Sequence, residues 1–369
     1  MSKLRFGTKA VAGASALALL LTACGQAPTD KDESKDQAES GQEQNVADAS
    51  DTKVCMVAGL GGLDDKSFNQ SGYEGLKKAK EDFGVEINVV ETFSDADYVP
   101  MIDNAVNEGC DLIIGVSYMM TDAITDAAKA NPDIKFALVD DVIPEDLPNA
   151  KGVVFNTAEA TYLAGYAAAG MTTTGKVATF LGGKMAPTML FADGFYDGVQ
   201  KFNEDHGTDI QLLGWDKDSQ DGIATGDFED VAKGKQYSLQ LIDQGADIIM
   251  PVAGVVSTGT LAAAREKGDT SVIWVDVDGF YSEPDYADLM LTSVLKQIGN
   301  ALYTTVEELL DGEFSSEDYI GTLGNEGVGI APWHDFEDKV PAELNEEIEN
   351  IRQQIIDGEI LVESPSAPR

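Results

Sequence analysis

The sequence predicts two α/β lobes, each a parallel sheet flanked by helices. Three observations predict it. Short apolar runs alternate with helical stretches of about twelve residues. Runs such as Leu112-Ile113-Ile114 are continuously apolar, the pattern of strands buried on both faces, as in parallel sheets. The alternation runs once from residue 53 to about 155 and then restarts, so the second half repeats the topology without repeating the sequence.

Taken in order, the strands of the first lobe are expected at 53–58, 86–91, 111–116, 135–139 and 152–155. Helices are expected between them at 70–83, 98–108 and 122–130. In the first helix Tyr73, Leu76, Ala79 and Phe83 recur at a spacing of three to four, which gathers them on one face. An Ala-rich helix with Tyr162 and Tyr166, at 157–172, opens the second lobe. Strands follow at 176–181, 210–213, 247–251 and 271–276, with helices at 188–205, 229–244 and 258–267. A late strand at 289–294, a helix at 295–311 and a charged helix at 341–357 end the pattern. The expected organisation is a signal peptide over 1–23, a tether over 24–51, a first lobe over 52–156 and a second over 157–280. Residues 281–369 are expected to supply crossover segments and a terminal helix shared between the lobes.

The chain of 369 residues carries 65 acidic side chains against 25 basic ones, a formal net charge of −40. Nucleic-acid binders need a basic face for phosphate contacts, so nucleic acid is excluded as a partner. With 43% hydrophobic and 8% aromatic residues, the bulk of the chain is nonetheless expected to fold.

Lys3, Arg5 and Lys9 precede an uncharged apolar run from Val11 to Leu21, too short to span a membrane. The run ends in Leu21-Thr22-Ala23-Cys24-Gly25, which resembles the lipobox of bacterial lipoproteins. That resemblance implies lipidation of Cys24 and an anchored, extracytoplasmic chain held more firmly than one acyl chain would hold it. Residues 26–51 contain eight acids, two lysines and no aromatic residue. Such a stretch buries too little apolar surface to offset ordering entropy and reads as a solvated spacer. Once signal and spacer are set aside, about −37 of the charge belongs to the folded part.

Cys55 and Cys110 each sit at the start of a strand-like run. If those strands are neighbours, their sulfurs can meet in a disulfide outside the cytoplasm; the alternative is two buried thiols. No His or Cys cluster has metal-ligand spacing, so no metal site is expected. The stretch Asp216–Gly222 lacks the glycine and glutamate of a calcium loop.

In open α/β sheets ligands bind beyond the carboxyl ends of the strands. The unusual loops of this chain fall there: Gly59–Gln70, Gly115–Met120, Asp140-Asp141, Gly182–Lys184, Gly226–Asp230, Ala253–Val255 and Asp276–Gly279. The first is not a phosphate loop, because Asp64 and Asp65 stand where an anion would lie. Either Asp65 or Ser67 caps the helix that follows, or Phe68-Asn69 stacks on and hydrogen-bonds a planar ligand. Phe228 is a second aromatic in a polar loop. Asp276 and Asp278 are candidate acid and base, hydroxyl acceptors, or turn residues. The chain contains no G-x-S-x-G elbow and no H-E-x-x-H, so a catalytic role is not expected.

Eight stretches stand in order along the chain: Asp65–Gln70 with Gly75, Tyr162–Tyr166, Gly194–Val199, Gly226–Asp230 with Lys233-Gly234-Lys235, Gly245–Gly254, Val275–Asp278, Thr292–Lys296 and Gly327–Pro332. Together they resemble the basic membrane protein family of bacterial lipoproteins, substrate-binding proteins of ABC transporters for nucleosides. The resemblance implies a type I periplasmic-binding-protein fold, with two α/β lobes joined by three crossovers and closing on a ligand. It implies a non-enzymatic, monomeric receptor without a cofactor, which hands nucleosides, purines favoured, to a permease. The alternative is a sensor of the same fold. Carried over by motif, Phe68 and Phe228 sandwich the base and Asn69 and Asp140 bind its edge, while Gly254, Asp276 and Lys296 hold the ribose. Asp65 belongs to the same set, and Phe191 and Asp141 are the alternatives to Phe228 and Asp140. The chain departs from the family at Asp278-Gly279 and at Lys184–Pro187, which bears on ligand preference.

Overall fold

The computed structural model describes residues 49–368. The proposed signal, Cys24 and nearly all of the tether lie outside the described residues. Within them, residues 49–368 belong to a single compact unit.

The first half alternates as its hydrophobic pattern requires: β1 (Lys53–Ala58), α1 (Phe68–Phe83), β2 (Glu86–Val90), α2 (Tyr98–Asn107), β3 (Leu112–Val116), α3 (Thr121–Ala130), β4 (Lys135–Val139) and β5 (Ala150–Phe155). The second half continues with α4 (Thr157–Met171), β6 (Lys176–Leu181), α5 (Ala186–His206), β7 (Gln211–Leu213), a two-stranded hairpin of β8 (Trp215–Asp216) and β9 (Asp221–Gly222), α6 (Val231–Asp243), β10 (Ile248–Val252), α7 (Thr258–Lys267), β11 (Ser271–Asp276), the short α8 (Gly279–Ser282) and β12 (Met290–Lys296). The remaining elements are α9 (Ile298–Leu310), β13 (Tyr319–Gly321), β14 (Val328–Ile330) and α10 (Ala342–Ile356).

Two six-stranded sheets result, with orders β2-β1-β3-β4-β5-β13 and β7-β6-β10-β11-β12-β14. All neighbours are parallel except β14, which runs antiparallel to β12. β1, β3 and β5 are buried almost along their whole length, β1 and β3 through their apolar runs and β5 with Lys151 buried as well, paired with Glu308 at 2.6 Å.

The chain changes lobe three times. β5 leads into α4, which packs on α5 of the second lobe; β12 leads into α9, which packs on α1 of the first; β13 leads into β14. The second sheet therefore takes β12 and β14 from beyond residue 280.

Leu295 and Lys296 differ from their expected helical state. β12 is paired on both sides here, Asp276 with Leu295 and Lys296 with Val328, and this ladder outweighs local helix propensity. The helix begins only at Ile298. Lys296 is thereby placed on a strand end at a crossover.

Several of the motif stretches serve helix packing. A Cβ on Gly198 would lie 2.0 Å from the Tyr162 carbonyl oxygen, and one on Gly75 would lie 2.2 Å from that of Gly299. The α4–α5 and α1–α9 interfaces thus require glycine. Cys55 and Cys110 form a disulfide at the amino ends of β1 and β3, with Cα atoms 5.9 Å apart.

Candidate functional site

A cleft opens between the two sets of carboxyl strand ends, the place where open α/β sheets bind ligands. Asp65, Phe68, Asp140, Phe228, Gly254, Asp276 and Lys296 all border it, together with Phe191.

The first wall is the β1–α1 loop. Asp65 is buried, and its carboxylate accepts the backbone N–H of Ser67 (3.0 Å), Asn69 (2.8 Å) and Gln70 (3.1 Å). This satisfies the orphan donors at the start of α1 and fixes Phe68, its first residue, at the cavity. Burial pushes the Asp65 carboxyl up to about 6, against the lowering effect of those three N–H donors. Of the two readings of this loop, Asp65 does act as the cap, and the same side chain borders the cavity.

Asn69 does not border the cavity, contrary to its expected contact with the base. It is fully buried; its Oδ1 accepts from Gly59 N (2.8 Å) and its Nδ2 donates to Leu60 O (3.2 Å). A side chain pointing into the lobe from the second residue of α1 is committed to holding the β1 turn.

The opposite wall is built around Phe228. Asp227 Oδ1 accepts from Glu229 N (3.0 Å) and Asp230 N (2.8 Å), and Lys233 Nζ reaches Thr225 O (2.6 Å) and Asp227 Oδ2 (3.1 Å). These bonds rigidify the loop. Its ring lies against Gly182, where a Cβ would come within 2.4 Å of it. Phe68 and Phe228 stand on opposite lobes and make no ring contact with each other among the described residues. Phe191 also borders the cavity from α5, so the alternative aromatic belongs to the site as well.

The floor is charged. Asp140 follows β4 and Asp276 ends β11, the fourth strands in the two equivalent series. Both adopt positive φ, 76° and 68°, a region that Asp tolerates better than most residues. Such conformations cost on the order of 1–3 kcal/mol and cluster at functional sites. Lys296, only 2% exposed, places its Nζ 2.5 Å from Asp140 Oδ1. The rings of Phe68, Phe155 and Phe191 surround the ammonium at 4.8, 5.5 and 5.9 Å. Ser67 Oγ donates to an Asp276 carboxylate oxygen across the lobes. Burial raises the Asp276 carboxyl, opposed by Lys296 and Ser67.

Asp141 turns away. It accepts from Thr121 Oγ1 (2.6 Å) and Val142 N (2.9 Å), which leaves Asp140 as the cavity residue. Asp278 caps α8 through Phe280 N and pairs with His334 Nε2 at 2.8 Å, so it is no acid–base partner of Asp276. Sequence reasoning missed that Ser67 donates to Asp276 of the cavity floor and that Thr188 borders the cavity; it named the loops that hold Met119 and Pro187 but neither residue as a contact. Only their position after strand ends could have signalled them.

The arrangement offers two aromatic walls, hydroxyl-accepting carboxylates and one ammonium. Neither histidine among the described residues lies at the cavity: His206 contacts Tyr166 and Glu347, and His334 contacts Asp278. Such walls can stack on a flat ring, and such a floor can hydrogen-bond hydroxyl groups.

The family model of "ABC transporter substrate-binding protein PnrA-like" (Bmp) matches residues 52–366. The chain belongs to this family. Two relatives support the assignment. One is the "CD4+ T-cell-stimulating antigen" of Listeria innocua, 32% identical, with 93% of this chain and 94% of the relative covered. The other is the "ABC transporter nucleoside-binding protein BmpA" of Lactococcus lactis, 31% identical, covering 85% and 90%. A crystal structure of an ABC transporter solute-binding protein from Aeropyrum pernix shares the fold, with a TM-score of 0.78, 24% identity and coverage of 86% and 94%. As a Bmp-family chain, this is an ABC transporter substrate-binding protein and not an enzyme. Its two lobes have the α/β architecture of periplasmic binding proteins. No helix among the described residues is long and apolar enough to cross a membrane.

Proposed function

We propose that this Bmp-family chain captures nucleosides, purines in preference, and delivers them to a membrane permease from a lipid anchor on Cys24. The observation that carries the ligand reading is the placement of Phe68 and Phe228 on opposite walls above the Asp140–Lys296–Asp276 floor. In this reading the rings stack on the base, where offset aromatic pairs contribute about 0.5–1.5 kcal/mol beyond area burial. Asp140 takes its edge. Asp276 accepts from ribose hydroxyls, and the Gly254 backbone and the Lys296 ammonium complete the sugar contacts. The named relative in Lactococcus supports the same ligand class. Three carboxylates against one ammonium border the cavity, which favours an uncharged nucleoside over its phosphate ester.

Calorimetric titration with adenosine, guanosine, inosine, cytidine, uridine and ribose tests it. Binding of at least one purine nucleoside, and binding of its monophosphate at least about tenfold weaker, is the expected result. No heat with any nucleoside at high micromolar concentration overturns it. Labelling of cells with a radioactive fatty acid tests the anchor: label lost in Cys24→Ala supports it, and label absent from the parent chain refutes it.

A further inference from the structure

We infer that the segment after α10, residues 360–368, is a clasp across the two lobes that slows escape of ligand from the cavity. Ile360 and Val362 rest on the core of the protein. Lys217 Nζ, paired with Asp197 at 2.6 Å, donates to the Glu363 carbonyl oxygen at 2.7 Å. Ser364 Oγ then donates to Asp193 Oδ2 at 2.6 Å. Asp193 is fully buried on α5, and its carboxylate also holds Trp215 Nε1 (2.8 Å) and Gln220 Nε2 (2.9 Å) of the β8–β9 hairpin region. A buried carboxylate must keep its donors, because losing one exposes it to the full cost of desolvation. The segment is therefore fastened to the second lobe.

Beyond Ser364 the chain turns, Ala367 N returning to Ser364 O at 3.2 Å, and faces the other lobe across a hollow. Residues 365–368 border this hollow with Asp140, Val142 and Phe155 of the first lobe and Pro187 and Leu190 of the second. Asp140 and Pro187 also border the main cavity, so the two spaces adjoin. No hydrogen bond from residues 365–368 to the first lobe occurs among the described residues. The segment is thus bonded to the second lobe and faces the first across this hollow, without a hydrogen bond to it. Opening of the lobes would draw the first lobe away from it without detaching it from the second. Pro365 and Pro368 restrict the backbone and lower the entropy lost when it seats.

This rests on the proposed nucleoside reading for its ligand only. The test is stopped-flow dissociation of bound nucleoside from the parent, from Ser364→Ala and from a chain lacking residues 364–369, with Ser364→Thr as the rescuing variant. The expected result is a dissociation rate raised about tenfold in the first two, an association rate little changed, and a parent-like rate in Ser364→Thr. Dissociation within about twofold of the parent in both variants overturns the clasp. Hydrogen exchange without ligand separates its failure from that of the ligand reading. Faster exchange in the shortened chain at both 141–143 and 186–190 supports the clasp even if no nucleoside binds. Acceleration confined to 186–190, or none, refutes it.

Discussion

Lys296 and Asp140 meet at 2.5 Å across the cleft, an ammonium from the last residue of β12 against a carboxylate from the residue after β4. Both are nearly removed from water, and each comes from a different lobe. The pair thus couples closure of the lobes to the composition of the cavity floor. Removing one member of a buried pair leaves an uncompensated charge and costs about 3–5 kcal/mol. Lys296→Met is expected to lower the urea midpoint accordingly and to abolish nucleoside binding. Lys296→Met with Asp140→Leu should recover stability but not affinity, as read by urea denaturation and calorimetry on both variants. Recovery of affinity in the double variant would show that the pair does not contact ligand.

Phe68 and Phe228 are expected to carry the base by stacking, worth about 1–3 kcal/mol per ring by alanine substitution. Phe68→Ala and Phe228→Ala should each weaken purine nucleoside binding roughly 5- to 150-fold while leaving ribose affinity nearly unchanged. Circular dichroism should be preserved, because Phe68 starts α1 and Phe228 lies in a loop fixed by other residues. Equal loss for nucleoside and ribose would assign the rings a structural role.

Asp65 sets a pH dependence of stability. Its folded-state carboxyl stands at about 6 against an ordinary 3.8, so between these values the native state binds more protons than the unfolded chain. Stability then falls as pH rises from about 4 to 6, by up to about 3 kcal/mol, and the contribution levels off above that window. Asp276, also raised by burial, acts in the same direction. Asp65→Asn keeps an oxygen acceptor for the helix cap but removes the titration. Urea unfolding from pH 4 to 7 should show a flatter profile in this variant than in the parent, and parallel profiles would refute the assignment.

The Cys55–Cys110 disulfide closes a loop of 55 residues, and by chain entropy such a crosslink is worth about 4 kcal/mol. It sits at the amino ends of β1 and β3, whereas the cavity lies at the carboxyl ends. Cys55→Ala with Cys110→Ala should therefore lower the melting temperature with nucleoside affinity within about twofold of the parent. A large affinity loss in a folded double variant would contradict this separation of roles.

Much of the fold is legible in order along the chain. Strand bodies and helix spans agree with the expected ones to within a few residues, because burial on both faces leaves continuous apolar runs and helix faces leave a period of three to four. The short strands β13 and β14 were not legible: three residues carry no period, and their pairing partners lie more than 30 positions away. Lys296 shows the same limit, since its strand state comes from ladders on either side of it. Asn69 shows it at the site. Its place in a motif suggested ligand contact, yet only the packed turn at Gly59 reveals where its amide is committed.

By itself, then, the sequence determined the two-lobe α/β class, the loops that lie at the carboxyl strand ends, and a strongly acidic composition. These follow from local pattern and composition. Tertiary structure alone decided that Asp140 rather than Asp141 faces the cavity, that Ser67 reaches Asp276, and that Ser364 donates to the buried Asp193. Each of those depends on groups 20 to 209 positions apart being buried together, where desolvation makes the choice of partner costly to change.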